Sequence, residues 1–512
     1  MHHVRRLQNS AIVVIVISLS AIIGIVFVSC LKEDRSSSNA LSTARNVSAP
    51  REVLGAGSCA GSGCHSSAVL GHEPWQSSFT VWSSRDRHAQ AYRVLFKPLA
   101  SRIVQALALH EEDQKLIPAH QNKACLGCHA TAGSPNVSEA VGCESCHGAA
   151  GDWVVAHTRR DWITAGNTLG MVDLADPFAC ATQCSLCHVG GPPCEDGTLR
   201  EVSHDLIAAG HPRLAFDLRS FKESEPPHWR DRFATAGENN FPQESDSPID
   251  PVNEWALGRL GALRAYLDQM VMQSSASVVR SPLQSHAAGV WPEFTAFDCY
   301  GCHRLAISEF DHASAQPAQQ ASLGIPRLDP WHWSLLTVIL APNDGNALND
   351  FRTTVEKEWW NRPDPKSLHA CISTLESARS QVMMRMTKQS AGDLARAVIE
   401  SADLTNWAEA VAVYAALNAL VDRSAKTTLS SELRANRNQQ LELLRKLLEF
   451  SGSSTLPFDA PDGTTIDLPE SDSADLQEPL PRFDSPHAFD AQAVENICDQ
   501  IVALLETDTR DP

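Results

Sequence analysis

Basic charge is the first thing this sequence is short of. Its 42 Lys and Arg stand against 61 Asp and Glu, a formal net charge of −19. Such a balance argues against nucleic acid or an anionic membrane surface as the main partner and favours a neutral or basic one. Tyrosine and methionine are also scarce, 4 and 7 among 512 residues, so few phenols and thioethers are available for chemistry. No long repeat recurs, only one short motif. What the chain has in quantity is cysteine (15) and histidine (20), within a composition that is 43% hydrophobic. That is enough apolar material for a sizeable core, and the length suggests roughly two to four domains.

The N-terminus speaks to compartment. Arg5 and Arg6 precede an uncharged apolar run from Ala11 to Val28, just long enough for a membrane helix. Positive charge before the run holds that end in the cytoplasm and sends the rest outward. The run ends Val28-Ser29-Cys30, which loosely resembles a lipoprotein cleavage site, with Phe27 where Leu is usual. Residues 1–30 are therefore an uncleaved anchor, a segment lipidated at Cys30, or a cleaved signal. All three place the body in the periplasm or otherwise outside the cytoplasm. The Ser- and Asn-rich residues within 31–51 read as a flexible linker.

Beyond it the chain divides by composition. Residues 52–310 hold most of the Cys and His, with many Gly and Pro, and predict short helices among irregular loops. A helix from Pro98 to His110 and another from Trp255 to Met272 have helical spacing of apolar residues. Residues 330–512 are poor in Cys and rich in amphipathic segments, with helices expected over Ser367–Lys388, Ala391–Val421, Leu429–Phe450 and Ala491–Glu506. An acidic loop at 451–486 interrupts them. The expected fold class is mainly α with extensive irregular loops, followed by a C-terminal helical region.

The short motif is Cys-x-x-Cys-His. It occurs at Cys125-Cys128-His129, Cys143-Cys146-His147, Cys184-Cys187-His188 and Cys299-Cys302-His303, with a wider form at Cys59-Cys64-His65. Two thiols at this spacing reach the two vinyl groups on one porphyrin edge, and the adjacent His lies beneath the iron. Zinc knuckles also use paired Cys-x-x-Cys, but zinc gives no reason for a His after every pair. Four strict copies cannot be accidental. The motifs predict five covalent haems c, with His65, His129, His147, His188 and His303 as proximal iron ligands. Haem iron usually takes a second axial ligand, and His88, His157, His204 and His211 are the distal candidates. His204 and His211 bracket a short segment able to present both toward adjacent haems.

The region resembles the multihaem cytochrome c-554 family over roughly residues 55–190. The resemblance rests on the first motif followed by Trp75-Gln76-Ser77-Ser78, on His88-Ala89, on Cys125-Leu126-Gly127-Cys128-His129, on Gly142-Cys143-Glu144-Ser145-Cys146-His147-Gly148, and on Cys184 to His188. It implies a fold built around packed haems, electron transfer as the activity, and distal roles for His88 and His157. It also implies one five-coordinate haem. The chain departs from the family in its wide first motif, its fifth motif, its N-terminal run and its long C-terminal extension. The segment from Ser203-His204 through His211-Pro212-Arg213-Leu214, with Trp291-Pro292-Glu293-Phe294 before the fifth motif, is similar to a longer, membrane-anchored class of multihaem cytochromes.

Two functions follow. Five haems between Cys59 and His303 leave too little protein to insulate them, which suits a relay passing electrons between redox partner proteins or from a quinol oxidoreductase. The alternative is an oxidoreductase acting on a small nitrogen or sulfur compound at an open haem. Against it, the chain has no Cys-x-x-Cys-Lys motif, and only Tyr92, Tyr266, Tyr300 and Tyr414 are available for a haem cross-link. Few methionines likewise count against high-potential Met ligation. Of the cysteines outside the motifs, Cys180 with Cys194 and Cys371 with Cys498 are candidate disulfides.

Overall fold

A computed structural model describes residues 51–67, 74–108, 116–159, 162, 169–194, 200–228, 249–274, 291–299, 325–425, 430–449 and 489–507. The N-terminal run, the linker up to residue 50, the acidic loop at 451–486, and Cys302 and His303 of the fifth motif lie outside them. The described residues are mainly helical. Extended pairing among them is confined to two isolated bridges, Gly191 with Arg200 and Phe297 with Leu328. No described helix is long and apolar enough to cross a membrane.

The N-terminal half is built from short helices: α1 (Ser78–Arg85), α2 (Pro98–Ala108), α3 (Lys123–His129), α4 (Cys143–His147), α5 (Pro177–His188), α6 (His204–Ala208) and α7 (Leu218–Ser224). Each of the three strict motifs before residue 200 ends its helix at the histidine. Local signals set those limits. The Asn122 side chain accepts from the Ala124 N–H and the Asp176 side chain from the Phe178 N–H, so each caps a helix start. Pro177 occupies the first turn of α5, where a missing N–H costs nothing. After α4, Gly148 turns the chain at φ 82°, and a Cβ there would lie 2.8 Å from the Gly170 carbonyl oxygen. Glycine therefore has to follow His147.

The centre of the molecule is α8 (Pro251–Ser274), buried on every side, with Trp255, Leu257, Leu260, Leu263, Leu267 and Met270 each at most 2% exposed. One flank packs on α5, so closely that a Cβ on Gly261 would meet the Phe178 carbonyl oxygen at 2.6 Å. The C-terminal region comprises two short turns, α9 (Pro330–Trp333) and α10 (Leu336–Ile339), then α11 (Pro342–Lys357), α12 (Pro365–Lys388), α13 (Ala391–Glu400), α14 (Trp407–Ser424), α15 (Ser431–Leu448) and α16 (Ala491–Glu506), of which α9, α12 and α14 pack on the other flank of α8. One apolar core runs from Phe178 through α8 to Leu505. The composition break near residue 330 thus falls inside a shared core, and the described residues from Glu52 onward form one compact unit.

Two expectations are corrected here. The single helix expected over Ala391–Val421 is two, because Asp403 accepts from Thr405, and Asn406 caps α14 by accepting from the Glu409 N–H. Polar side chains that bond their own backbone compete with helix. The stripe Trp407, Val411, Val413, Ala416 and Leu420 on α14 is core, not a docking face: all but the half-buried Trp407 are buried, and Trp407 donates its indole N–H to the Leu448 carbonyl. The second correction is to the disulfides. No described cysteine is in a disulfide. Cys180 lies beside Cys184 on its own helix rather than on Cys194, and Cys371 and Cys498 are separate buried thiols that pack as small apolar groups.

Candidate haem sites

The most specific string of the sequence, Gly142 to Gly148, owes its glutamate to structure. Glu144 is 5% exposed, and its carboxylate accepts from the N–H groups of Leu54 (3.0 Å), Gly55 (2.7 Å) and Ala150 (2.7 Å). One buried side chain thus ties the segment leading into the first motif to the helix of the third. Glu144→Ala would strand these donors, at roughly 1–3 kcal/mol for each left unsatisfied. The expected result is a lower denaturation midpoint and loss of haem from the first and third sites, measured by urea titration and by pyridine haemochrome stoichiometry.

The imidazoles then arrange themselves in facing pairs. His65 faces His157 with ring centres 6.2 Å apart and planes at 13°. His88 faces His188 at 6.0 Å and 83°, and His129 faces His211 at 6.4 Å and 86°. A metal bonded to two imidazole nitrogens at about 2.0–2.1 Å, with about 1.1 Å more from each nitrogen to its ring centre, would separate ring centres by about 6.2 Å. Nδ1 is already committed in several of these rings. That of His65 is bonded to the Trp75 carbonyl (2.6 Å), that of His129 to the Ala91 carbonyl (2.9 Å), and that of His211 to the Pro212 carbonyl (2.8 Å). A carbonyl only accepts, so Nδ1 carries the proton and Nε2 keeps its lone pair for a metal. His88 differs, because its Nδ1 meets the Asp86 carboxylate at 3.0 Å.

Protonation states agree with ligation. Burial pushes His147 and His188 down to about 4, and lowers His129 and His211 as well, so these rings stay neutral, the form that binds iron. For His88, burial works against the charged form, but the hydrogen bond and charge of Asp86 outweigh it and raise the imidazole above its ordinary value.

The motifs do not meet in chain order. The sulfurs of Cys59 and Cys143 are within hydrogen-bond reach, which joins the first motif to the third. Those of Cys128 and Cys187 join the second to the fourth, and α4 packs on α5 to connect the two pairs. The spatial order is first, third, fourth, second.

Against known families, the sequence model for cytochrome c554 and c-prime matches residues 59–148, the stretch holding the first three motifs. The match supports a c-type cytochrome. No curated protein and no solved structure matches the chain. Cytochromes of this family carry covalent haem c and its iron, transfer electrons and work outside the cytoplasm.

The residues fit that cofactor. Besides the facing pairs, the buried Nδ1 atoms of His147 and His157 have no protein partner, consistent with rings placed for a group on their other nitrogen. Of the distal candidates, His88, His157 and His211 each face a motif histidine, and His204 does not face one among the described residues. It lies instead against Phe294 (5.6 Å), with its backbone N–H donated to Glu293, on the approach to Cys299. The fourth imidazole that bears on these motifs is His228, whose charge acts on His147 more than that of any other residue. Spacing gave no reason to single it out, because it follows two prolines in a polar stretch. Tyr266 and Tyr414 are buried in the helical core, with the Tyr266 hydroxyl on the Ala296 carbonyl, away from the facing pairs.

Proposed function

We propose that this cytochrome is a five-haem electron relay, held at the membrane by its N-terminal segment and passing electrons between redox partner proteins or from a quinol oxidoreductase. The observation that carries the reading is the set of facing imidazoles. Cys59 and Cys64, Cys125 and Cys128, Cys143 and Cys146, Cys184 and Cys187, and Cys299 and Cys302 attach the haems. His65 with His157, His129 with His211 and His188 with His88 saturate three irons. His228 serves His147, and His204 serves His303. Saturated irons of low potential suit transfer rather than substrate chemistry. The test is the spin state of the haem-loaded protein: five haems per chain and low-spin spectra support the relay, while a dominant high-spin signal removes it.

One observation favours the rival, an oxidoreductase acting on a small nitrogen or sulfur compound. No ring of the described residues faces His147 at the spacing of the other pairs, so that iron is the one able to stay open. Binding of one carbon monoxide per reduced chain would support this second reading.

Asp86 tunes the relay. A carboxylate on Nδ1 makes the His88 imidazole a stronger donor and favours ferric iron. Asp86→Asn keeps the hydrogen bond and removes the charge. The haem of His188 should become easier to reduce by about tenfold in its equilibrium constant, ~59 mV for one electron, read by spectroelectrochemical titration. An unchanged potential would leave Asp86 with only its helix-capping bond to the His88 N–H.

A further inference from the structure

Around the second motif the local charge runs opposite to that of the protein as a whole. Residues 87–138 carry six Lys and Arg against three acids, Glu111, Glu112 and Asp113, in a protein of net charge −19. Arg93, Lys97, Arg102 and Lys123 are exposed there. Among them stand three large apolar side chains in water, Phe96 (57% exposed), Leu116 (48%) and Ile117 (42%). Phe96 stacks on His120 at 4.3 Å, and Leu116 and Ile117 lead into the Ala119–Gln121 turn that carries His120. That turn packs on the Arg93–Phe96 turn, on α2 and on α3. The underside of the patch is a small cluster of Leu95, Val104 and Ala119 that touches Cys125 and Leu126 of the motif. The patch and the second haem site are therefore two faces of one layer.

We propose that this patch is the docking surface of an acidic electron-carrier protein, which exchanges electrons with the haem of His129. The proposal rests on the relay reading above. An apolar centre with a charged rim is the anatomy of a protein interface, and an excess of one sign speeds encounter with a partner of the other. A chain that is acidic overall would repel an acidic carrier over most of its surface, so a local excess of positive charge favours where the carrier lands. Transient redox complexes are small, and three apolar side chains with four cations suit that size. In the transfer, the donor loses one electron and the ferric iron gains it; with an anionic flavin hydroquinone as donor, the neutral semiquinone remains and no proton moves.

The test uses the full-length, haem-loaded protein in stopped flow, with an acidic flavodoxin hydroquinone as donor and dithionite as a control. R93E/K97E changes two exposed side chains and should leave the haem spectrum and the dithionite rate as in the parent. The flavodoxin rate should fall at least about tenfold at low salt and lose its decrease with ionic strength. Phe96→Ala should slow the same reaction without changing its salt dependence. A flavodoxin rate unaffected by either variant would overturn the docking surface while leaving the relay intact. Failure of both donors to reduce the parent would instead count against the relay. Should the double variant abolish binding to phosphatidylglycerol vesicles but not affect flavodoxin, the patch would belong to lipid and the proposal would fall.

Discussion

His211→Ala should turn one low-spin haem into a high-spin haem that binds carbon monoxide, adding one equivalent per reduced chain to whatever the parent binds. The argument is positional. His211 follows α6 on a tight turn in which Gly210 adopts φ 109° and the His211 N–H bonds the Leu206 carbonyl. That turn uses backbone alone, so alanine keeps it, and the ring that faces His129 at 6.4 Å is what disappears. His129 stays fixed by its own bond to Ala91. Stability should change by only about 1 kcal/mol, the centre of the range for single substitutions. Added imidazole should restore the low-spin spectrum. A variant with unaltered spin state would break the pairing of His211 with His129, and with it the strongest ground for a saturated second haem.

Ending the chain after Leu328 should abolish the folded, haem-loaded protein altogether. The C-terminal helices look dispensable by composition, since they carry no haem motif. Yet α12 and α14 cover the flank of α8 that α5 leaves open. Exposing even four of the buried α8 side chains would cost roughly 6–12 kcal/mol at about 1.5–3 kcal/mol each, against a total stability of about 5–15 kcal/mol for a typical domain. Because α8 is also what α5 packs on, the fourth motif would lose its seat. The measurements are yield of soluble protein, circular dichroism and haem per chain. A truncated protein with five haems and a cooperative unfolding transition would show that α8 needs no C-terminal cover.

The attachment motifs were legible because their chemistry is local: two thiols and an imidazole fall within one helical turn, as in Cys143 to His147. So were helices such as Pro98–Ala108, whose apolar spacing and N-terminal proline are sufficient signals. The distal imidazoles were legible only in part. His88 and His157 came through resemblance, and His211 through its position beside α6, but which ring faces which is decided by tertiary contact between distant segments. His228 carried no signal at all. The break between Glu400 and Trp407 went unread because Asp403 and Asn406 act through hydrogen bonds that periodicity does not register. The boundary near residue 330 marks a change in composition, and composition is blind to α8, which belongs to the cysteine-rich half and is covered by the other.

The interleaved contact order of the motifs bears on how the molecule matures. During synthesis the first motif emerges before the third, and the second before the fourth, while Glu144 must reach back to Leu54 and Gly55 before the first segment is held. No fragment that ends before the third motif contains a complete pair of neighbouring sites. A haem attached to the first motif early in synthesis would therefore sit on an open polypeptide and wait for its neighbouring site. A loading error at the third motif would then reach the first, far upstream in sequence.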